Sequence, residues 1–329
     1  FRSVWATPTC SPTRATILTG RYGCRTGIGR YLDEDSPVEL PQEELILPEL
    51  LDLHPELGYE HAAVGKWHLG QALDSAVRAG FGQFSGSRSN FRGKQRYDRW
   101  LKIDCGEERW CHEYATTDTV DEALEFISST PEPWFLYLAF NAVHAPYHEP
   151  PGRLRTSELG PDACSREDLT RAMLEALDME LGRLFHGMGE AYERTHIVFT
   201  SDNGTPSDVL APGVIPRRGK ATPYESGLRV PLIISGPAVR EPGRDVTALV
   251  NTTDLFGTCA ELAGLPFPDA LPDGLATDSV SLVPYLANPA APARRKIAYS
   301  EAFYPNLGTD FEMEIRVARN ERYKVIHRI

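Results

Sequence analysis

A chain of 329 residues is long enough for one large domain with a sizeable core and a small appendage, and it shows no repeat or fibre pattern. With 46 acidic against 34 basic side chains its formal net charge is −12, which argues against broad adhesion to nucleic acid or anionic membranes; any anion site must be a local positive pocket. No apolar run reaches transmembrane length, and six cysteines (10, 24, 105, 111, 164 and 259) are too few for a disulfide scaffold, although Cys105 and Cys111 are close enough in sequence to pair in an oxidising compartment.

Residues 10–20, Cys-Ser-Pro-Thr-Arg-Ala-Thr-Ile-Leu-Thr-Gly, predict a short helix with Ser11 as N-cap, Pro12 in the first turn and Gly20 as the stop. Cys10 then sits just outside the positive end of the helix dipole, with Arg14 one turn in, an arrangement that suits an anion. The same position also suits a small buried apolar side chain. Residues 45–53 read as a short helix with Pro48 near its start, and residues 59–64 as a strand running into Gly65-Lys66-Trp67-His68-Leu69-Gly70. Alternate residues of such a strand exit can share a face, so Lys66 and His68 either meet one ligand or are a solvated lysine and a structural histidine around Trp67.

Residues 85–110 interleave Arg88, Arg92, Lys94, Arg96, Arg99 and Lys102 with Phe91, Tyr97 and Trp100, which suits a substrate-facing insertion or a solvated loop better than an RNA or DNA site. Residues 117–128 form an amphipathic helix pattern, and residues 134–140 a continuous apolar strand that exits into Asn141-Ala-Val-His144-Ala-Pro-Tyr-His148. Residues 166–188 repeat apolar side chains at Leu169, Met173, Leu177, Leu181 and Leu184, a helix face with Met173 in the core. A strand over residues 196–200 ends in Ser201-Asp202-Asn203-Gly204, a turn by itself, but placed where ligands of open α/β sheets collect. Residues 219–231, which include Lys220, Glu225 and Arg229, precede a strand at 232–235, and a helix follows at 254–262. After a Pro- and Ala-rich connection, residues 296–329 read as strands. Strands alternating with helices imply an α/β fold, a doubly wound, mostly parallel sheet with helices on both faces.

The segments Cys10-Ser11-Pro12-Thr13-Arg14 with Leu18-Thr19-Gly20-Arg21-Tyr22, Gly65 to Gly70, the histidine and proline after the 134–140 strand, Asp202-Asn203 and the Lys220 segment occur together and in order. Together they resemble the type I sulfatases of the alkaline phosphatase superfamily. The resemblance implies a catalytic domain over residues 1–290 and, over residues 291–329, the start of a small C-terminal antiparallel subdomain. It implies that a formylglycine-generating enzyme, which reads Cys-x-Pro-x-Arg, oxidises Cys10 to formylglycine, and that Asp202, Asn203 and the modified Cys10 bind Ca²⁺ or Mg²⁺ as hard oxygen donors. One hydroxyl of the aldehyde hydrate would attack sulfur while the metal and Lys66 stabilise charge, Arg14 holds the hydrate, and His144 and Lys220 hold the ester and assist departure of the alcohol. His68 would then take a proton from the second hydroxyl so that sulfate is expelled. The implied substrate is a sulfated saccharide or an aryl sulfate, in a periplasmic, secreted or lysosomal setting, with no nucleic acid partner and no membrane span. A phosphomonoester or phosphonate hydrolase, and a non-catalytic binder of sulfated glycans with Cys10 unmodified, are the competing readings.

In that family further metal ligands come from an Asp-Asp pair at the end of a strand upstream of the cysteine, whereas only nine residues precede Cys10 here and the chain begins at Phe1. The expectation is an upstream strand carrying that pair. Without it, calcium binding is expected to be weak, turnover slow and aggregation favoured.

Overall fold

A computed structural model of the chain describes residues 1–104, 106–156, 165–211, 213–288 and 290–328. Cys105 and Cys164 therefore lie outside the described residues, and with them the pairing of Cys105 with Cys111. The chain divides into two compact units, one of Phe1–Asp33, Val38–Leu53 and Glu193–Ile329, the other of Glu34–Pro37 and His54–Tyr192.

The first strand, β1 (Ser3–Trp5), opens the first unit. The second unit holds β2 (Glu60–Lys66), β3 (Gln83–Ser87), β4 (Trp100–Asp104), β5 (Glu107–Cys111) and β6 (Trp134–Ala139), in the order β5-β4-β3-β2-β6. The chain then returns to the first unit for β7 (Ile197–Thr200), β8 (Leu232–Ser235) and β9 (Leu249–Asn251), and closes with β10 (Ala298–Tyr304), β11 (Met313–Arg319) and β12 (Lys324–Arg328). The longer helices are α1 (Cys10–Thr19), α2 (Ala115–Ser129), α3 (Arg166–Gly187) and α4 (Asp254–Leu262). The fold is the expected α/β one, with parallel strands at the centre of the five-stranded sheet and a small C-terminal antiparallel sheet of β10, β11 and β12. Among the described residues no helix is long and apolar enough to cross a membrane.

In the second unit β2 runs parallel to both β3 and β6, so these three strands end at one edge of the sheet: Lys66 pairs with Ser87, and Gly65 with Ala139. The close approach there needs glycine. A Cβ on Gly65 would lie 2.2 Å from the Ala139 carbonyl oxygen, and one on Gly86 1.9 Å from that of Gly65. The apolar stripe of α2 places Val120 and Ala123 against Leu184 and Met188, at the end of α3, while Trp134, Leu136 and Leu138 of β6 border this cluster. Ser165 starts α3 by accepting a hydrogen bond from the Asp168 N–H at 3.1 Å.

In the first unit β1 pairs in parallel with β9, while a bridge from Trp5 to Arg229 ties its other side to the chain leading into β8. Val4, Val230, Leu232, Val250, Leu255 and Tyr285 form the core. Asn251, 2% exposed at the end of β9, links three strands: its Nδ2 donates to the carbonyls of Trp5 (3.4 Å) and Tyr299 (2.5 Å), and its Oδ1 accepts from the Tyr299 N–H (3.1 Å) and the Tyr22 hydroxyl (3.3 Å).

Two boundaries differ from the sequence reading. The strand expected over residues 59–64 extends through Lys66, so this lysine is a strand residue and not part of the exit loop. The first helix begins at Cys10, with Thr9 as N-cap, not Ser11. Thr13 reaches back to close the entry, accepting from the Thr7 N–H at 3.1 Å and lying 2.6 Å from the Thr7 hydroxyl, while Ser11 turns away to accept the Leu32 N–H at 3.0 Å. Gly20 does stop the helix, in the left-handed conformation, with its N–H on the Thr16 carbonyl.

Candidate active site

In the first unit five residues scattered over the sequence meet at the mouth of α1. Cys10 is buried in the first turn, outside any disulfide, and its Sγ lies 3.2 Å from Asn203 Oδ1. Lys220 Nζ donates to the same sulfur at 3.3 Å. One turn along α1, the Arg14 guanidinium donates from Nε and a terminal nitrogen to Asp202 Oδ2 at 3.0 and 2.8 Å, an ion pair with only 5% and 22% of the two side chains exposed. A charge pair so shielded from water is held far more firmly than a surface one.

The backbone explains why these residues come together. Asp202 and Asn203 lie just past β7, after Ser201, and the next turn is pressed against the segment around Gly227: the Gly204 N–H bonds the Gly227 carbonyl at 3.0 Å, and a Cβ on Gly204 would lie 2.1 Å from the Ser226 carbonyl oxygen. Lys220 is fixed by its own N–H on the Thr205 carbonyl (2.7 Å) and by the Ala221 N–H on the Pro8 carbonyl (2.8 Å), so one short segment spans the Asp-Asn turn and the residues before Cys10. The donor chemistry beside Cys10, one carboxylate and one amide oxygen, is of the kind that suits a hard cation such as calcium. Among the described residues no group of three or more His, Cys, Asp or Glu side chains is placed to hold a metal.

In the second unit Lys66, His68 and His144 belong to the sheet edge where β2, β3 and β6 end. Lys66 is 3% exposed as the last residue of β2. The ladder continues past it, with the Trp67 N–H on the Ser87 carbonyl (2.9 Å) and the His68 N–H on the Arg88 carbonyl (2.7 Å), and His68 is held in the left-handed region at φ 58°. His144 lies in the loop after β6, its Nδ1 2.8 Å from the Ala145 carbonyl. A carbonyl only accepts, so Nδ1 carries the hydrogen and Nε2 is the basic nitrogen.

That loop is held by residues to which the sequence reading gave no such role, Tyr97 having been read as part of a substrate-facing insertion. The Asn141 amide donates from Nδ2 to Ser87 Oγ (3.0 Å) and the Ser89 carbonyl (3.2 Å), and the buried Tyr97 hydroxyl reaches the Asn141 and His144 carbonyls at 2.7 and 2.8 Å. His148 stacks on Tyr97 with ring centroids 4.4 Å apart, its Nδ1 on the Pro146 carbonyl and its Nε2 3.0 Å from the Tyr114 hydroxyl. The asparagine at a strand exit was a visible signal; the tyrosine, 44 residues earlier, was not.

The basic and aromatic stretch is not a ligand-facing loop throughout. Phe91, Tyr97 and Trp100 are core residues, Lys102 is buried against Asp118 and Glu122, Arg88 pairs with Glu108, and Arg99 covers the Trp110 ring. Interleaved aromatics turn inward here because burying rings releases more water-exposed apolar area than any other side chains can.

Residues 1–265 match the family model for sulfatases. The chain is 32% identical over 310 residues to the N-acetylgalactosamine-6-sulfatase of Canis lupus familiaris, covering 82% of this chain and 56% of that protein. To arylsulfatase G of Homo sapiens it is 28% identical over 385 residues, covering 98% of this chain and 67% of the other. It thus spans about half the length of the first of these relatives. Among solved structures, the crystal structure of Ps i-CgsB superimposes with a TM-score of 0.83 at 24% identity, covering 99% of this chain and 75% of that one. BT4656 in complex with D-glucosamine-2-N,6-O-disulfate does so with a TM-score of 0.70 at 19% identity, covering 99% and 81%.

Proposed function

This chain belongs to the sulfatase family, and on that premise we propose that it hydrolyses the sulfate ester of a saccharide after Cys10 has been converted to formylglycine. The observation that carries the reading is the placing of Cys10 Sγ, the atom that oxidation replaces by oxygen, between Lys220 Nζ and Asn203 Oδ1 at the first turn of α1. A thiol that served only to fill the core would have no use for an ammonium group. A saccharide is preferred as the substrate because the relative with 32% identity is named for a sulfated amino sugar.

Formylglycine would supply an aldehyde hydrate as the oxygen nucleophile, and a calcium ion held by Asp202 and Asn203 would supply Lewis-acid stabilisation of the anionic ester. The chain's own side chains do the rest. Lys220 brings positive charge to position 10 and so favours an anion there. Arg14 fixes the Asp202 carboxylate by two hydrogen bonds to one oxygen. His144, its Nδ1–H kept on the Ala145 carbonyl, would as the imidazolium carry a second proton on Nε2 and give it to the departing alcohol oxygen, which leaves the neutral Nδ1–H form. Lys66 and His68 are assigned to charge stabilisation and to proton removal in the second half of the reaction.

Peptide mass analysis of Cys10 from a host with a formylglycine-generating enzyme tests the proposal. The aldehyde mass is expected, together with turnover of aryl sulfate well above that of aryl phosphate and loss of turnover in Cys10→Ala. A thiol alone at Cys10 in such material, combined with binding of sulfated glycan, would replace the hydrolase by a binder; preference for the phosphate ester would move the chain to a phosphoester hydrolase.

A further inference from the structure

We infer that Tyr97 is a positioning residue for His144, its hydroxyl closing the loop after β6 so that the imidazole keeps one tautomer. The inference rests on the reading of His144 as a group that acts on the sulfate ester, but its geometry does not. Tyr97 is 1% exposed, and its one hydroxyl hydrogen is shared by two carbonyls three residues apart, Asn141 at 2.7 Å and His144 at 2.8 Å. The loop is therefore clamped at both ends. Its start is tied to the end of β3 by the Asn141 amide on Ser87 and Ser89, and its end is tied by the phenol.

Between these ties the His144 N–H bonds the Asn141 carbonyl at 2.9 Å, which closes a turn whose next peptide presents the Ala145 carbonyl to His144 Nδ1. The orientation of that peptide decides which ring nitrogen holds the hydrogen, because a carbonyl can only accept. The Tyr97 ring is itself immobilised, edge-on to Phe91 at 5.0 Å and stacked on His148 at 4.4 Å, so the hydroxyl has little freedom to follow a moving loop. Stiff support of this kind is what keeps a reacting group at its productive distance.

The test uses the chain labelled with ¹⁵N at histidine, with the His144 imidazole assigned by its disappearance in His144→Gln. Long-range ¹H–¹⁵N correlation should show the Nδ1–H tautomer in the wild type and a mixture of tautomers in Tyr97→Phe. Tyr114→Phe, which takes a hydroxyl from His148 and not from the loop carbonyls, should leave the His144 pattern intact. An unchanged His144 pattern in Tyr97→Phe, or the same change in both variants, would overturn the inference. In formylglycine-bearing protein, Tyr97→Phe should lower kcat for an aryl sulfate, by up to ~10²-fold, and cause no further loss in a His144→Ala background. Additive losses would also overturn it. Normal turnover in His144→Ala would instead remove His144 from the reaction, and the tautomer measurement would still decide the role of Tyr97.

Discussion

Lys220 and Cys10 are 210 positions apart in sequence, yet the ammonium group donates to the sulfur at 3.3 Å, so the lysine is expected to matter for chemistry and not for folding. Lys220→Ala should lose ~10²–10³-fold in turnover, the usual effect of removing one charge-stabilising donor, with an unaltered melting temperature; near-normal turnover would take it out of the site. His148 makes a different prediction. Burial lowers its pKa below the ordinary histidine value, against the opposing pull of the Pro146 carbonyl and Asp98. The unfolded chain, titrating at about 6.5, then takes up a proton that the folded chain refuses, so stability is full above about pH 6.5 and falls as pH drops below it. His148→Gln should flatten that acid decline in a series of melting curves. An unchanged slope would mean that other groups carry it, His196 among them, whose pKa burial also lowers.

Elements were legible where local pattern and long-range packing agree. The strand at 232–235 and the helix at 254–262 fall where the sequence reading put them. The start of α1 moved by two residues, its N-cap being Thr9 and not Ser11, because Thr13 closes the entry on Thr7 while Ser11 turns to Leu32, contacts that N-cap preferences do not describe. Lys102 was misread more deeply. Counted among the cations of a substrate-facing insertion or a solvated loop, it lies on β4 with its Nζ 2.8 Å from Asp118 and 2.5 Å from Glu122 of α2, and its side chain is 4% exposed. Strand periodicity tells which face a side chain takes, not what covers that face. Removing the cation leaves two carboxylates facing each other under cover, so Lys102→Ala should cost about 3–5 kcal/mol in chemical denaturation. Combining Lys102→Met with Asp118→Asn should recover part of it, and a loss below 1 kcal/mol would show that water already reaches the cluster.

For the whole molecule, charge and composition said only that any anion site must be local, and Arg14 and Lys220 at the mouth of α1 are such cations in a chain of net charge −12. Motif resemblance named the candidate residues; it could not supply the roles of Asn141 and Tyr97, because a loop's supports are chosen by three-dimensional proximity and carry no fixed spacing. Metal binding is best read on the entire chain as well. If Asp202 and Asn203 hold calcium, a ligand that binds the folded form alone raises stability by about 2.7 kcal/mol at a hundred times its Kd. The melting temperature should therefore climb with calcium, and Asp202→Ala should abolish the climb. A wild-type protein indifferent to calcium and magnesium would remove the metal from the proposal.

The Asn251 amide has a consequence for chemical ageing. It donates to the Trp5 and Tyr299 carbonyls while accepting the Tyr299 N–H, which only an amide can do. Hydrolysis of that side chain to aspartate, a change of one atom, would set a carboxylate against two carbonyl oxygens in the interior of the first unit. The usual route to this damage is attack by the following backbone nitrogen on the side-chain carbonyl. Here that nitrogen, of Thr252, is engaged with the Trp5 carbonyl at 2.9 Å, so the fold restrains the very atom whose attack would undo it.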